Sequence, residues 1–181
     1  MAKSRSTKVV ERKNENTRAR WVPPGEGWAK INVDACYIEQ TGQASAGIII
    51  KDHRGATLIS SWRLLPRCVS SEEAELLACR EGLMLARQWT KLPLILESDC
   101  ANYVTAMQWP DGSRSHMTHI LQDVKDLMQQ GSELKMNRVK RKQISIAHEL
   151  ARYARRKLSS AVWIARVPPA LEQDVIAETN P

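Results

Sequence analysis

The sequence predicts an α/β domain, a mixed β-sheet flanked by helices, and two observations carry that expectation. Early in the chain, three alternating segments follow one another with little between them, so they read as sequential antiparallel strands. Further on, apolar segments of strand length are separated by stretches with helical spacing, so the later strands are reached through helices. The order reads β-β-β-α-β-α-α-β-α, five strands in which three antiparallel ones precede two parallel ones. A chain of 181 residues suits one domain with extra length at its ends. The boundaries expected are a basic, disordered segment over 1–20, the folded domain over 21–160, and a tail over 161–181.

Trp21-Val22-Pro23-Pro24-Gly25 opens the folded part. Lys30-Ile31-Asn32-Val33-Asp34-Ala35 alternates as a strand does, and Ala46 to Lys51 and Ala56 to Leu64 follow it. Asp52-His53-Arg54-Gly55 between the last two is a hairpin turn closed by glycine. Ser70 with Glu73 forms a capping-box pattern. Behind it Ala74, Leu77, Ala78, Leu85 and Trp89 fall on one helical face, with Gly82 among them to permit close packing. Leu94-Ile95-Leu96 is a short buried strand after Pro93, and Asp99 to about Gln108 is a second helix. Pro110 to Ser113 is a loop. Met117, Ile120, Leu121, Val124, Leu127 and Met128 mark a third helix, closed by Gly131. Leu134 to Arg141 is the fifth strand, and Ala147, Leu150, Ala151, Ala154 and Leu158 lie on the apolar face of a final helix. The tail, with Trp163 and Pro168-Pro169, is expected to lie over the core.

Composition narrows the function classes. Hydrophobic residues make up 43% and mean hydropathy is −0.42, ordinary values for a globular protein in water. No apolar run reaches the roughly 20 residues needed to span a bilayer, and no secretory signal is apparent. An intracellular location, nuclear or cytoplasmic with an organellar one left open, and a monomer are the expectations, although composition fixes neither compartment nor oligomeric state. The four cysteines (Cys36, Cys68, Cys79, Cys100) form no zinc spacing and read as reduced thiols. The net charge of +7 is uneven: residues 1–20 carry seven basic side chains against Glu11 and Glu15, +5 of the total. A basic arm can touch phosphates, and it can equally be a solvated linker. Charge alone assigns the folded part no partner.

Three carboxylates sit where they can converge. Asp34 ends a central strand, Glu75 lies in the first turn of the helix after the hairpins, and Asp99 follows the next strand. The carboxyl ends of strands are where sites gather in α/β sheets, and Mg²⁺ prefers such hard oxygen ligands. Two ions roughly 3.5–4 Å apart can activate water and stabilise the leaving oxygen of a phosphodiester. Each acid also has a purely structural explanation. The helix dipole favours Glu75 and a cap favours Asp99, while Asp34 is hardest to explain, because Asp is a poor strand former. His148 serves on its residues alone as a metal ligand, a proton carrier or plain surface. His53, His116 and His119 have no acidic or thiol partner at metal spacing.

Trp21-Val22-Pro23-Pro24, Lys30-Ile31-Asn32-Val33-Asp34, Lys51-Asp52-His53-Arg54-Gly55, Ala74-Glu75 with Glu81-Gly82-Leu83, and Glu97-Ser98-Asp99 together resemble the type-1 ribonuclease H domain of plants. That domain is found in non-LTR retrotransposon-derived proteins. The resemblance runs from about Trp21 to Lys157. It implies a ribonuclease H-like fold with a five-stranded mixed sheet, Mg²⁺ or Mn²⁺ with two ions in the substrate complex, and endonucleolytic cleavage of RNA in RNA/DNA hybrids. The family's core carboxylates fall on Asp34, Glu75 and Asp99, which become the metal ligands and, with His148, the catalytic set.

Three positions depart from the family pattern. Ala35 stands where a glycine usually follows the first Asp, and its methyl is expected to crowd the backbone's approach to RNA. His148 replaces a fourth Asp, a replacement common in the plant branch. Ile144 stands where an Asn is usual. These departures point to weak activity, or to a degenerate ribonuclease H fold retained as a nucleic-acid or protein-binding module. An α/β interaction domain with coincidental acids is the unrelated alternative. A hybrid is read through backbone shape and 2′-hydroxyls, so small polar groups and cations near the acids become candidate contacts: Asn32, Ala35, Ser71, Asn102 and Arg141. Arg141 belongs to a basic group with Arg138, Lys140 and Lys142; Arg152, Arg155, Arg156 and Lys157 form a second on the last helix. Deleting residues 1–20 should leave the melting temperature unchanged and weaken binding to a hybrid mainly at low salt, since counterion release makes that contribution salt-dependent.

Overall fold

The computed structural model describes residues 20–100 and 117–179. The helix expected from Asp99 to Gln108 and the loop at Pro110 to Ser113 fall largely or wholly outside those residues, as do Asn102 and His116. The described elements are β1 (Ala29–Ile38), β2 (Gln43–Asp52), β3 (Thr57–Leu65), α1 (Ser71–Trp89), β4 (Leu94–Ser98), α2 (Thr118–Gln129), β5 (Leu134–Arg138), α3 (Ser145–Lys157), β6 (Ala161–Ile164) and α4 (Glu172–Thr179). Single 3₁₀ turns precede α3 and α4. None of the described helices is long and apolar enough to cross a membrane.

The strands lie in the order β5-β4-β1-β2-β3-β6. β1, β2, β3 and β6 pair antiparallel in succession. β4 and β5 join the other edge in parallel. The hairpin between β2 and β3 forms as its residues require. Gly55 adopts φ +80° and donates to the Asp52 carbonyl at 3.0 Å, while the Asp52 carboxylate accepts from the N–H groups of Arg54 and Ala56.

The sheet has six strands where the sequence led us to expect five. The extra strand comes from the expected tail: β6 pairs along β3 from Ile59↔Ile164 to Trp62↔Ala161. Alternation over only four residues, Ala161–Ile164, is too short to separate from a loop by pattern. Trp163 of β6 meets Trp62 edge-on with ring centroids 4.6 Å apart, and Tyr153 of α3 stacks on Trp62 at 5.6 Å. Beyond β6, Val167 and Leu171 are buried against Ile49, Ile146 and Leu150.

Period-two alternation divides β1 between two layers. Ala29, Ile31, Val33 and Ala35 enter the main core under α1 and α2. Lys30, Asn32 and Asp34 point to the opposite face, the one covered by α3, and all three are buried. Lys30 pairs with Glu97 at 2.8 Å, and Asn32 donates to Glu97 at 2.9 Å. Lys51, fully buried, pairs with Glu178 of α4 and lies 4.2 Å from the centre of the Trp21 ring. Burial pulls the Lys51 ammonium down from its ordinary pKa and pushes Glu178 up, and each partner opposes the other's shift. α4 therefore brings the counter-charge that a buried lysine needs.

Two glycines set how closely helices approach the sheet. A Cβ on Gly82 of α1 would lie 2.6 Å from Val33 Cγ1. A Cβ on Gly47 of β2 would lie 1.9 Å from the Ala147 carbonyl oxygen and 2.5 Å from the Ala151 nitrogen of α3. Three helix expectations shift in detail. Trp89 is 53% exposed at the end of α1 rather than on its buried face. Leu158 ends α3 with φ 47° and is 68% exposed. α3 is followed by α4 and so is not the final helix. Gly47→Ala should cost about 3 kcal/mol in urea unfolding, because backbone cannot move aside cheaply. Gly82→Ala should cost less, since its neighbours are side-chain methyls. Equal costs would show that α3 is free to lift.

Candidate active site

The site forms beneath the start of α3, where the β1–β4 pairing ends at Asn32↔Glu97; Asp34 lies within β1, which runs on to Ile38, rather than at its end. Asp34 lies opposite Gly47 in the β1–β2 register. The bare backbone at Gly47 lets α3 settle beside Asp34, and His148, in the first turns of α3, meets Asp34 Oδ2 through Nδ1 at 2.6 Å. Asp34 is 0% exposed, whereas the His148 side chain keeps 29% of its surface. Asp99 follows the last residue of β4. Ser98 Oγ accepts from the Cys100 N–H at 3.2 Å, turning the chain away from the sheet there.

Glu75 arrives from the other layer. Ser70 caps α1 by accepting from the Glu73 N–H at 3.2 Å. Glu73 reaches back to the Val69 N–H at 2.7 Å, one residue before the capping-box position. The helix begins at Ser71, so Glu75 falls in its second turn rather than its first.

Asp34, Glu75 and Asp99 each offer a ligand atom, and these atoms lie within 4.8 Å of one another. Asp34 Oδ1 and Glu75 Oε2 are buried with no hydrogen-bond partner in the fold. Buried oxygens without partners are costly unless something meets them. Burial raises the Asp34 pKa, with Asp99 adding to the rise and His148 and Arg141 opposing it. Glu75 is pushed up to about 8 by burial and then by the charges of Asp34 and Asp99; Arg141 and the Ala35 N–H act against this. A carboxylate set of this kind fits a hard divalent cation, which would supply the missing partner and remove the repulsion.

The remaining expected contacts divide. Arg141 reaches the cluster, its Nε 2.9 Å from Asp99 Oδ2. Ser71 is exposed at the start of α1 and donates to Glu72 at 3.3 Å. Asn32 is 2% exposed and its amide is engaged by Glu97, so it presents no surface to a duplex. The Ala35 methyl belongs to the main core rather than standing over the cleft, and it is the Ala35 backbone that faces Glu75. Ile144 is 1% exposed and presents no polar group. Sequence reasoning missed Gly47. Its signal was present, a glycine inside an apolar strand, which marks close approach of another backbone. All four cysteines are free thiols, Cys68 and Cys79 buried.

Comparison with known proteins agrees with this architecture. The reverse transcriptase-like family profile matches residues 32–154, more than half of the chain, and the chain belongs to that family. No curated protein sequence matches it. Among solved structures, ribonuclease H1 from Halobacterium salinarum superposes with a TM-score of 0.66 at 16% identity, covering 72% of this chain and 99% of that one. The ribonuclease H domain of Rv2228c from Mycobacterium tuberculosis gives 0.62 at 19% identity, covering 70% and 97%. LC11 ribonuclease H1, isolated from compost by a metagenomic approach, gives 0.61 at 20% identity in its complex with an RNA/DNA hybrid, covering 72% and 99%. The fold is ribonuclease H-like.

The raised pKa of Glu75 has a measurable consequence without metal. An unfolded glutamate ionises near 4.5, the folded one near 8. Its contribution to stability is therefore complete below about pH 4.5 and is lost as pH rises through about 8. Glu75→Gln, which cannot ionise, should melt close to wild type at about pH 4 and above it at about pH 8.5. A variant less stable than wild type at the higher pH would show that the fold holds ionised Glu75 by an attraction that outweighs its burial.

Proposed function

We propose that this protein is a divalent-metal-dependent endonuclease that hydrolyses the RNA strand of RNA/DNA hybrids. The observation that carries the reading is the convergence of Asp34, Glu75 and Asp99, two of them with a buried oxygen that nothing in the protein satisfies. The ribonuclease H-like fold supports it, as does a similar structure that holds an RNA/DNA hybrid. Asp34, Glu75 and Asp99 would hold Mg²⁺ or Mn²⁺, with two ions in the substrate complex. Bound metal supplies water activation and charge neutralisation at the phosphate.

The protein's own residues have separable tasks in this reading. Asp34 fixes the position of the cluster, being fully buried and held through His148. His148 would orient Asp34 and, with part of its side chain open to solvent, would carry a proton between the site and water. Ser71 and Arg141 would meet the duplex backbone. On the motifs read in the sequence, the domain is of the plant, retrotransposon-derived type, working as an intracellular monomer.

One observation favours a second reading, a binding module without activity. Ile144 is apolar and buried where the family pattern has an amide, so one wall of the site lacks a polar group. A labelled RNA/DNA hybrid incubated with Mg²⁺ or Mn²⁺, beside single-stranded RNA and duplex DNA, separates the two. Wild type should cut only the hybrid. Asp99→Asn should keep the fold and lose at least about a hundredfold in rate, the scale on which metal-held charge acts. Wild type and His148→Asp both inert with both metals would leave only the binding module.

A further inference from the structure

Arg141 is placed on the acidic cluster by the sheet itself. β5 continues its pairing past Arg138 through the Val139 N–H, which donates to the Ser98 carbonyl at 3.0 Å. The chain then tightens into the 3₁₀ turn Arg141–Ile144, closed by the Gln143 N–H on the Lys140 carbonyl at 2.8 Å and by the Lys140 N–H on Gln143 Oε1 at 3.2 Å. This sets the Arg141 guanidinium beside Asp99, with Nε 2.9 Å from Oδ2, while 59% of the side chain remains exposed. It lines an open cleft with Asp99, Arg138, Lys140 and Gln143. Burial draws the Arg141 pKa down, but Asp34, Asp99 and Glu75 together more than reverse this. All three acids thus act on one cation.

That cation does an incomplete job. It satisfies Asp99 and leaves Asp34 Oδ1 and Glu75 Oε2 without partners. A guanidinium keeps its proton throughout the working pH range and can only donate. An exposed pair of this kind is weak, so a divalent ion able to meet several oxygens at once would win the competition. A released arginine beside Arg138 and Lys140, at the lip of a duplex-binding cleft, would find a phosphate, which its planar fork matches well.

We propose that Arg141 is a resident counter-ion that occupies Asp99 in the metal-free protein and is handed from that carboxylate to a duplex phosphate when metal binds. The side chain thereby couples metal binding to duplex binding, and the coupling is reciprocal. The proposal rests on the reading of the acids as a metal site, and its test separates the two ideas.

The full chain is titrated with Mn²⁺ by calorimetry as wild type, Arg141→Gln and Arg141→Lys. Arg141→Gln should bind Mn²⁺ about fivefold more tightly, the release of one exposed ion pair, with Arg141→Lys near wild type. Binding of an RNA/DNA hybrid is then followed by anisotropy across a salt series, without metal and with Ca²⁺. Without metal the salt slopes of wild type and Arg141→Gln should coincide. With Ca²⁺ the wild-type slope should be steeper by about 0.9, one phosphate contact. Equal Mn²⁺ affinity for wild type and Arg141→Gln would overturn the competition. A slope difference of the same size with and without Ca²⁺ would overturn the transfer, since Arg141 would then touch phosphate regardless of metal. No Mn²⁺ binding by either protein would overturn the metal site and this coupling with it.

Discussion

The rest of the structure depends on a contact between two stretches of backbone. Helix α3 rests on β2 at Gly47 with no side chain between them, in the row of the sheet that contains Asp34. The contact between His148 and Asp34 is set from there. Close approach delivers His148 to Asp34 and helps seal that carboxylate from water. An added methyl would have to raise the whole helix, because its obstacles are a carbonyl oxygen and an amide nitrogen. Tight packing of this kind is what allows a protein to hold an acid in a place where the acid alone would be unfavourable.

The cost of that placement appears in the charges. Three carboxylates share a small volume, and burial outweighs the opposing influence of the nearby cations for Asp34 and Glu75. The face of the sheet under α3 handles its other charges differently. Lys30 with Glu97 and Lys51 with Glu178 are matched pairs, one cation to one anion. Among the described residues the acidic cluster brings three carboxylates together and leaves two of their buried oxygens without a hydrogen-bond partner, an anionic excess that suits a cation.

Much of this was legible in the sequence. The antiparallel β1–β3 meander followed from alternation and the Asp52 to Gly55 turn. α1 followed from Ser70 and its apolar spacing; the convergence of Asp34, Glu75 and Asp99 was expected from places at element ends, although Asp34 proves to lie within β1 and Glu75 in the second turn of α1. What was not legible depends on long-range contact. Four residues of β6 carry too little pattern to announce a strand. Asn32 looked like a surface amide because nothing local reveals that Glu97 will lie beside it. Ala35 looked like an obstruction because the family pattern has a glycine there, whereas the parity of β1 sends its methyl to the opposite layer. Leu158 fits the apolar periodicity of α3 and yet ends it, because a helix terminus is set by its capping conformation as much as by its stripe. Asn102 lies outside the described residues.

β6 has a consequence for how the protein is made. It lies along β3, whose outer row of amide and carbonyl groups would otherwise be bare. A bare row of that kind invites pairing with another chain. Synthesis proceeds from the amino terminus, so β3 emerges nearly a hundred residues before the strand that covers it. During that interval the growing chain holds most of its sheet and an open flank. That flank closes only when the Ala161–Ile164 segment is made and pairs, and shortening the chain ahead of it would leave β3 open to pairing with another chain.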